Sequence, residues 1–280
     1  MIGVSLGFGS WDLGFRFKMT QLPFEQFSAL NAVGVCRHVF TQRIPGIDVS
    51  HDKAEALRCL DSAHREIRRA IGVSEWPVLT AEQVHGDQIA IVAEPGQAGQ
   101  LLQQKSATDR SDTNRGRWAT QPIDPIGWPS GATRVDLPIE SDAQFAGCDG
   151  IITNQREVVL GIHVADCCAV YIVDPEKPAI GLVHSGKKGT ELGVVTNAIA
   201  QMKAHFGSNP ADLVVQLSPC IRPPHYEVDF AAEIIRQCRS TGVSQVYDNG
   251  VCTACHLDLY YSYRAEKGKT GRMLALLALL

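Results

Sequence analysis

The stretch from Gly161 to Thr190, GIHVADCCAVYIVDPEKPAIGLVHSGKKGT, constrains this chain more than any other. Apolar, β-branched runs lie on both sides of an Asp174-Pro175 turn, and such runs bounded by turn residues predict strands. The step Ala165-Asp166-Cys167 precedes one run and His184-Ser185-Gly186 follows another, so both steps belong to strand ends. A cysteine and a histidine at the ends of neighbouring buried strands can converge on one point. His85, in Glu82-Gln83-Val84-His85-Gly86, closes a further apolar run. We expect these three residues to meet around a metal. Two imidazoles and one thiolate suit zinc, and a catalytic zinc keeps three protein ligands and one open position. No local motif ties ligands this far apart, so separate core and surface roles stay open at this point. Adjacent strand residues face opposite ways, so Cys168 is expected to point away from the site that takes Cys167. His163 is read as a satisfied core histidine.

The totals bound the rest. A chain of 280 residues, 45% of them hydrophobic, can bury one large core or two small ones. Its net charge of -4 gives no basic face for a nucleic acid. Nine cysteines, an odd number without the spacing of a secreted scaffold, fit a reduced cytoplasmic protein. The longest apolar run, at 273–280, is far below the ~20 residues of a membrane helix. The glycine- and aromatic-containing N-terminus is not read as a signal peptide, and Met19 is an alternative start. A monomer or small homo-oligomer is expected.

In chain order, the pattern predicts a strand over 36–43 and a helix from about 52 to 71, capped by Asp48 or Ser50 and stopped by Gly72. Strands over 77–85 and 88–93 flank a Gly86-Asp87 turn. Residues 96–140 read as a long polar surface insertion. Four short runs, 151–153, 158–164, 169–173 and 180–183, predict one sheet. A helix over 190–206 would bury Leu192, Val195, Ile199 and Met202 on one face. A strand over 213–217, helices over 230–238 and 257–264, and a tail strand over 273–280 complete the reading.

Three further patterns carry possible chemistry. Gly181 to Lys188 nearly matches a nucleotide-binding P-loop, but Lys188 stands where the motif needs a hydroxyl. What survives is an anion contact from Gly186, Gly189 and two lysines at a helix start. Cys252-Thr253-Ala254-Cys255-His256 has the spacing of a haem-attachment site, although covalent haem would want export; structural or incidental cysteines are the simpler reading. Arg264 and Arg272 lie among glycines and hydroxyl residues, where arginines can clamp an anion such as phosphate.

The segments Phe40–Arg43, Gln83–Gly86, Cys148–Thr153, Ala165–Cys167, His184–Thr190, Ser218–Cys220, Tyr226–Val228, Cys252-Thr253 and Ser262–Arg264 through Thr270–Met273, in this order, resemble the YfiH-like laccase-domain family. Its members are often labelled multicopper polyphenol oxidases and are better described as purine nucleoside phosphorylases. The resemblance implies an α/β fold, a layered α/β/β/α sandwich with mixed sheets. It implies a single catalytic domain over 36–280, carrying the insertion, after a partly disordered N-terminal extension over 1–35. It implies Zn²⁺ on His85, Cys167 and His184, with Cu²⁺ as the alternative. The implied reaction is phosphorolysis of adenosine, inosine or methylthioadenosine, with adenosine deamination as a side activity; purine nucleoside and phosphate are the partners. Asp166, Arg43 and Lys188 are the candidate catalytic residues, and Arg264 and Arg272 the candidate phosphate ligands. The family commonly has Trp-Arg where this chain has Lys187-Lys188, and the segment after Arg43 and the region from Tyr226 to Cys252 are shortened. Two other functions share these atoms. One is a copper-dependent phenol oxidase, which needs more histidines than the nine present and His-x-His pairs that this chain lacks. The other is a metal-free hydrolase with Cys167 as nucleophile and a histidine as base.

Overall fold

The computed structural model describes residues 22–93, 132–135 and 142–280. Its strands are β1 (Phe24–Glu25), β2 (Cys36–Thr41), β3 (Val78–Ala81), β4 (Ile89–Val92), β5 (Ala132–Val135), β6 (Ala143–Phe145), β7 (Gly150–Thr153), β8 (Val159–Val164), β9 (Cys168–Asp174), β10 (Ala179–Ser185), β11 (Val214–Leu217), β12 (Gln245–Asp248) and β13 (Met273–Leu279). Its α-helices are α1 (Ser28–Val33), α2 (Lys53–Ala70), α3 (Lys187–Leu192), α4 (Val194–Phe206) and α5 (Phe230–Ser240).

Among the described residues the strands make two mixed sheets. One runs β1-β2-β13-β8-β3-β6 and the other β12-β11-β9-β10-β7-β4-β5. The four runs expected to form one sheet therefore divide: β8 joins the first sheet, and β7, β9 and β10 the second. The sequence pattern cannot separate these cases, because every one of the four strands is buried almost throughout. Likewise β3 and β4 do not pair around Gly86-Asp87; they belong to different sheets, and the loop between them crosses the sandwich.

The sheets face each other over one core. Tyr171 of β9 is fully buried there, and its hydroxyl donates to Val39 O of β2 at 2.7 Å, joining the sheets. Left without that acceptor, the buried hydroxyl would cost about 1–3 kcal/mol. α2 covers the outer face of the first sheet. It buries Ala56, Leu60, His64 and Ile67, which recur at helical spacing, while Arg58 and Arg65 pair with Glu55 and Asp61 on the solvent side. Its cap is Asp52, whose carboxylate accepts the Glu55 N–H at 3.0 Å; neither Asp48 nor Ser50 caps it. α4 and α5 cover the second sheet, burying Val195, Ile199 and Met202 from one and Phe230 and Ile234 from the other against Ile152, Val170 and Ile172. The α/β/β/α layering expected from the resemblance is therefore present.

Several local expectations change. The helix expected over 190–206 is two helices, broken at Gly193 with φ +78°, and Leu192 is half exposed rather than on the buried face. No helix forms over 257–264; that segment is turns, with Tyr260, Tyr261 and Ser262 consecutively buried, a pattern no single helical face can give. Residues 22–35, assigned above to an N-terminal extension, contribute β1, α1 and the buried Phe27 and Leu30. Most of the insertion over 96–140 lies outside the described residues, as does residues 1–21; Ala132–Val135 adds an edge strand to the second sheet.

Candidate metal centre

Two loops that pass from one sheet to the other meet at one end of the sandwich. The first, between β3 and β4, holds Gln83 and His85 at φ +67° and +62°, a conformation uncommon for residues with a Cβ. It is pinned there. The Gln83 side chain donates to His163 O at 2.6 Å and accepts from His163 N at 3.1 Å. Gln83 N donates to Cys148 O at 2.9 Å. Asp149 then accepts His85 N at 2.8 Å and Gly86 N at 2.6 Å. The second loop, between β8 and β9, carries Asp166 at φ +82° and then Cys167. β10 delivers His184 beside them.

The three donors converge: ligand atoms of His85, Cys167 and His184 all lie within 4.8 Å of one another. Cys167 Sγ is 4.0 Å from His85 Nε2, and the two imidazoles meet edge to face with centroids 4.8 Å apart. Asp149, fully buried, holds His184 Nδ1 at 2.8 Å through Oδ1. That contact commits Nδ1 and leaves Nε2 for the centre, the carboxylate–histidine arrangement of many zinc sites. Asp149 is the member of this cluster that the sequence reading passed over. It stands in a matched segment, Cys148–Thr153, but its role appears only once β7 is seen beside both loops.

Electrostatics follow from these contacts. Burial pushes the Cys167 thiol up, but hydrogen bonds and charge from His184 and His85 outweigh it and hold it at about 6. Burial lowers His184, yet Asp149 and Cys167 bring it up to about 9. Burial raises Asp149, and the contacts from His184, Gly86 and His85 still keep it below the usual carboxylate value. A thiolate, two imidazoles and an orienting carboxylate suit a three-ligand zinc site. Gly186 makes room for this: a Cβ there would stand 2.6 Å from Cys167 Sγ. Cys168 points the other way into the core beneath α4, as expected.

The centre opens into a cavity of about 600 Å³. Lys53, Lys187, Arg264 and Arg272 supply cations to its lining, and Tyr226, Phe230 and Tyr263 supply aromatic surface. Arg272 is 9% exposed, lies 5.5 Å from the Tyr263 ring, and donates to Thr270 O and Gly271 O. Burial lowers both Arg272 and Lys53, and the charge of Arg272 lowers Lys53 further. Arg264 stacks over Tyr226 at 4.8 Å and reaches Glu227 at 3.1 Å.

The other candidates fall differently. Asp166 is buried at the cavity edge, with Oδ1 accepting from Thr253 Oγ1 and Oδ2 from Arg264 N, both at 2.7 Å. Arg43 is not among the lining residues; it pairs with Glu266 at 2.8 Å and lies over Tyr261. Lys188 is exposed on α3 outside the lining, and its neighbour Lys187 faces the cavity instead. His163 also reaches the lining, and burial first, then charge from His64, Lys53 and Arg272, holds it down at about 3, so it faces the cavity neutral.

A family model described as multi-copper polyphenol oxidoreductase laccase matches residues 32–234 and 228–280. Purine nucleoside phosphorylase YlmD of Bacillus subtilis (strain 168) is 29% identical over 162 residues, 47% of this chain and 58% of that protein. The match thus spans little more than half of that relative's length. The crystal structure of YlmD from Geobacillus stearothermophilus superposes with a TM-score of 0.66 at 20% identity, covering 92% of this chain and 98% of that one. The crystal structure of Bacillus licheniformis hypothetical protein YfiH gives 0.62 at 19% identity, covering 92% and 99%.

Proposed function

Because the chain belongs to the multi-copper polyphenol oxidoreductase laccase family, whose curated relatives are named purine nucleoside phosphorylases, we propose that it is a zinc-dependent purine nucleoside phosphorylase. The observation that carries this reading is the shared cavity: a His-Cys-His donor set opens onto a wall of cations and aromatic rings. His85, Cys167 and His184 would hold the ion, and Asp149 fixes the tautomer of His184. Zinc in such a site polarises a bound oxygen or carbonyl as a Lewis acid.

The chain's own residues account for the rest. Phosphate needs several positive donors; Lys53, Arg264 and Arg272 supply them from one wall, and among the described residues neither Lys53 nor Arg272 forms a salt bridge. Tyr226, Phe230 and Tyr263 offer surface for a purine and ribose. The phosphate oxygen attacks the anomeric carbon, the glycosidic C–N bond breaks, and the base leaves with the electron pair and gains a proton. The Asp166 carboxylate already accepts two hydrogen bonds, so we assign it to positioning Cys167 rather than to proton transfer. Arg43 and Lys188, away from the cavity, take no part.

Copper is the alternative that the family description suggests. His₂Cys is also a blue-copper donor set, but that chemistry adds a weak axial ligand, usually methionine, and no methionine lines this cavity. Among the described residues one three-donor group occurs, whereas multicopper oxidation needs several centres. No described helix is long and apolar enough to cross a membrane. The nine cysteines, all described, are free thiols.

The test is metal analysis of the purified protein alongside a panel of adenosine, inosine and methylthioadenosine. Base release that requires phosphate, with about one zinc per chain, is the expected result. Ammonia release from adenosine reports the deaminase side activity. Base release independent of phosphate, or phenol-driven O₂ uptake with bound copper, would overturn the reading.

A further inference from the structure

Cys252 and Cys255 bracket a single 3-10 turn, Thr253–Cys255. The Cys255 N–H donates to Cys252 O at 3.2 Å. A turn closed in this way holds its end Cα atoms within about 7 Å, close to the span a disulfide bridges. Cys255 is exposed and Cys252 is 8% exposed, so one sulfur meets solvent and the other waits behind it.

Between them stands Thr253, fully buried, whose hydroxyl donates to Asp166 Oδ1 at 2.7 Å. Asp166 immediately precedes Cys167 and keeps a left-handed backbone, φ +82°. Its held conformation rests on three contacts: Thr253 Oγ1 and Arg264 N on the carboxylate, and Ile221 N on the carbonyl at 2.9 Å. The turn is also tied down on its other side, where Thr253 N donates to Cys220 O at 3.2 Å. Any tightening of the turn therefore moves a residue that sets the backbone of a metal donor.

We propose that Cys252 and Cys255 form a reversible disulfide that withdraws Thr253 from Asp166 and thereby weakens metal binding at Cys167. The disulfide rests on the turn geometry alone; its effect on metal rests on the His-Cys-His reading. The chemistry is thiol–disulfide exchange with a low-molecular-weight disulfide. The Cys255 thiolate attacks one sulfur of the oxidant, and the oxidant's S–S bond breaks, releasing one thiol. The Cys252 thiolate then attacks the Cys255 sulfur of the mixed disulfide. The Cys252–Cys255 bond forms and the second small thiol leaves. Two protein thiols are oxidised, one small disulfide is reduced to two thiols, and the two protein protons pass to the departing thiolates.

The experiment uses the full chain, zinc-loaded, equilibrated in glutathione buffers from fully reduced to fully oxidised. Peptide mapping after alkylation should yield one linked pair, Cys252–Cys255, that disappears when excess reduced glutathione is restored. Competition with a chromophoric chelator should show zinc affinity about tenfold lower in the oxidised form. Cys255→Ser should abolish both changes, and reduced Thr253→Val should show the weakened affinity without any oxidant. A different pairing, such as Cys168 with Cys220, a glutathione adduct confined to Cys167, or equal zinc affinity in both redox forms would overturn the proposal. None of these readouts measures phosphorolysis, so failure here is distinct from failure of the phosphorylase assignment.

Discussion

On the donor side of the cavity, Asp149 takes His184 Nδ1, His85 N and Gly86 N, and Gln83 grips the backbone of His163 from both ends. On its cationic side, Lys53 lies within the charge field of Arg272, neither forms a salt bridge among the described residues, and Arg264 shares an exposed pair with Glu227. The first side is satisfied within the protein; the second carries two cations, Lys53 and Arg272, with no ion-pair partner among the described residues. A site saturated by its own contacts is preorganised to hold one thing in one geometry. A wall with surplus cations is shaped for something that arrives with negative charge. Of the lysine pair after Gly186, Lys187 alone lines the cavity.

Substitutions can break that contrast. Cys167→Ala should have the largest effect, taking zinc from about one per chain to about a tenth or less; retained stoichiometric zinc by elemental analysis would remove Cys167 from the donor set. Asp149→Asn preserves shape but not charge. It should lower zinc affinity about 10–100-fold in chelator competition, while phosphate saturation of the loaded enzyme stays near wild type. Arg272→Met should do the reverse, raising the phosphate KM about tenfold or more with zinc content unchanged; a loss of zinc in this variant would show the two sides to be one unit. Smallest is the lysine pair. Lys187→Ala should raise the phosphate KM a few-fold, about the worth of one exposed charge, and Lys188→Ala should leave it unaltered. Equal effects from both would contradict the placement of Lys187 alone at the cavity.

How much of this could be read beforehand follows the same division. That His85, Cys167 and His184 could converge was legible because each stands at the edge of an apolar run, and strand ends are rigid places for side chains to meet. The strand over 273–280 and the helix ending at Gly72 were legible from periodicity. Sheet membership was not: strands buried on both faces show no alternation, so nothing in residues 150–185 says which of two sheets each joins. Arg43 shows the limit for charged residues. It closes a strand in a matched segment, yet Glu266, more than two hundred positions away, draws it off the cavity. Asp149 shows the converse, a carboxylate whose value lies in backbone groups that only the folded loop presents. The 257–264 segment was misread because its consecutive buried residues, Tyr260 to Ser262, serve different neighbours, among them Glu25 and Ile44.

The two loops that carry His85 and Cys167 each start in the six-stranded sheet and finish in the seven-stranded one. An ion gripping both would tie these two covalent crossings to each other at the end of the sandwich. Occupancy then becomes mechanical as well as chemical: the loaded chain should hold both loops fast, and stripping the ion should loosen those loops first. The protein would report its metal supply through its lifetime against proteases, before any substrate is offered.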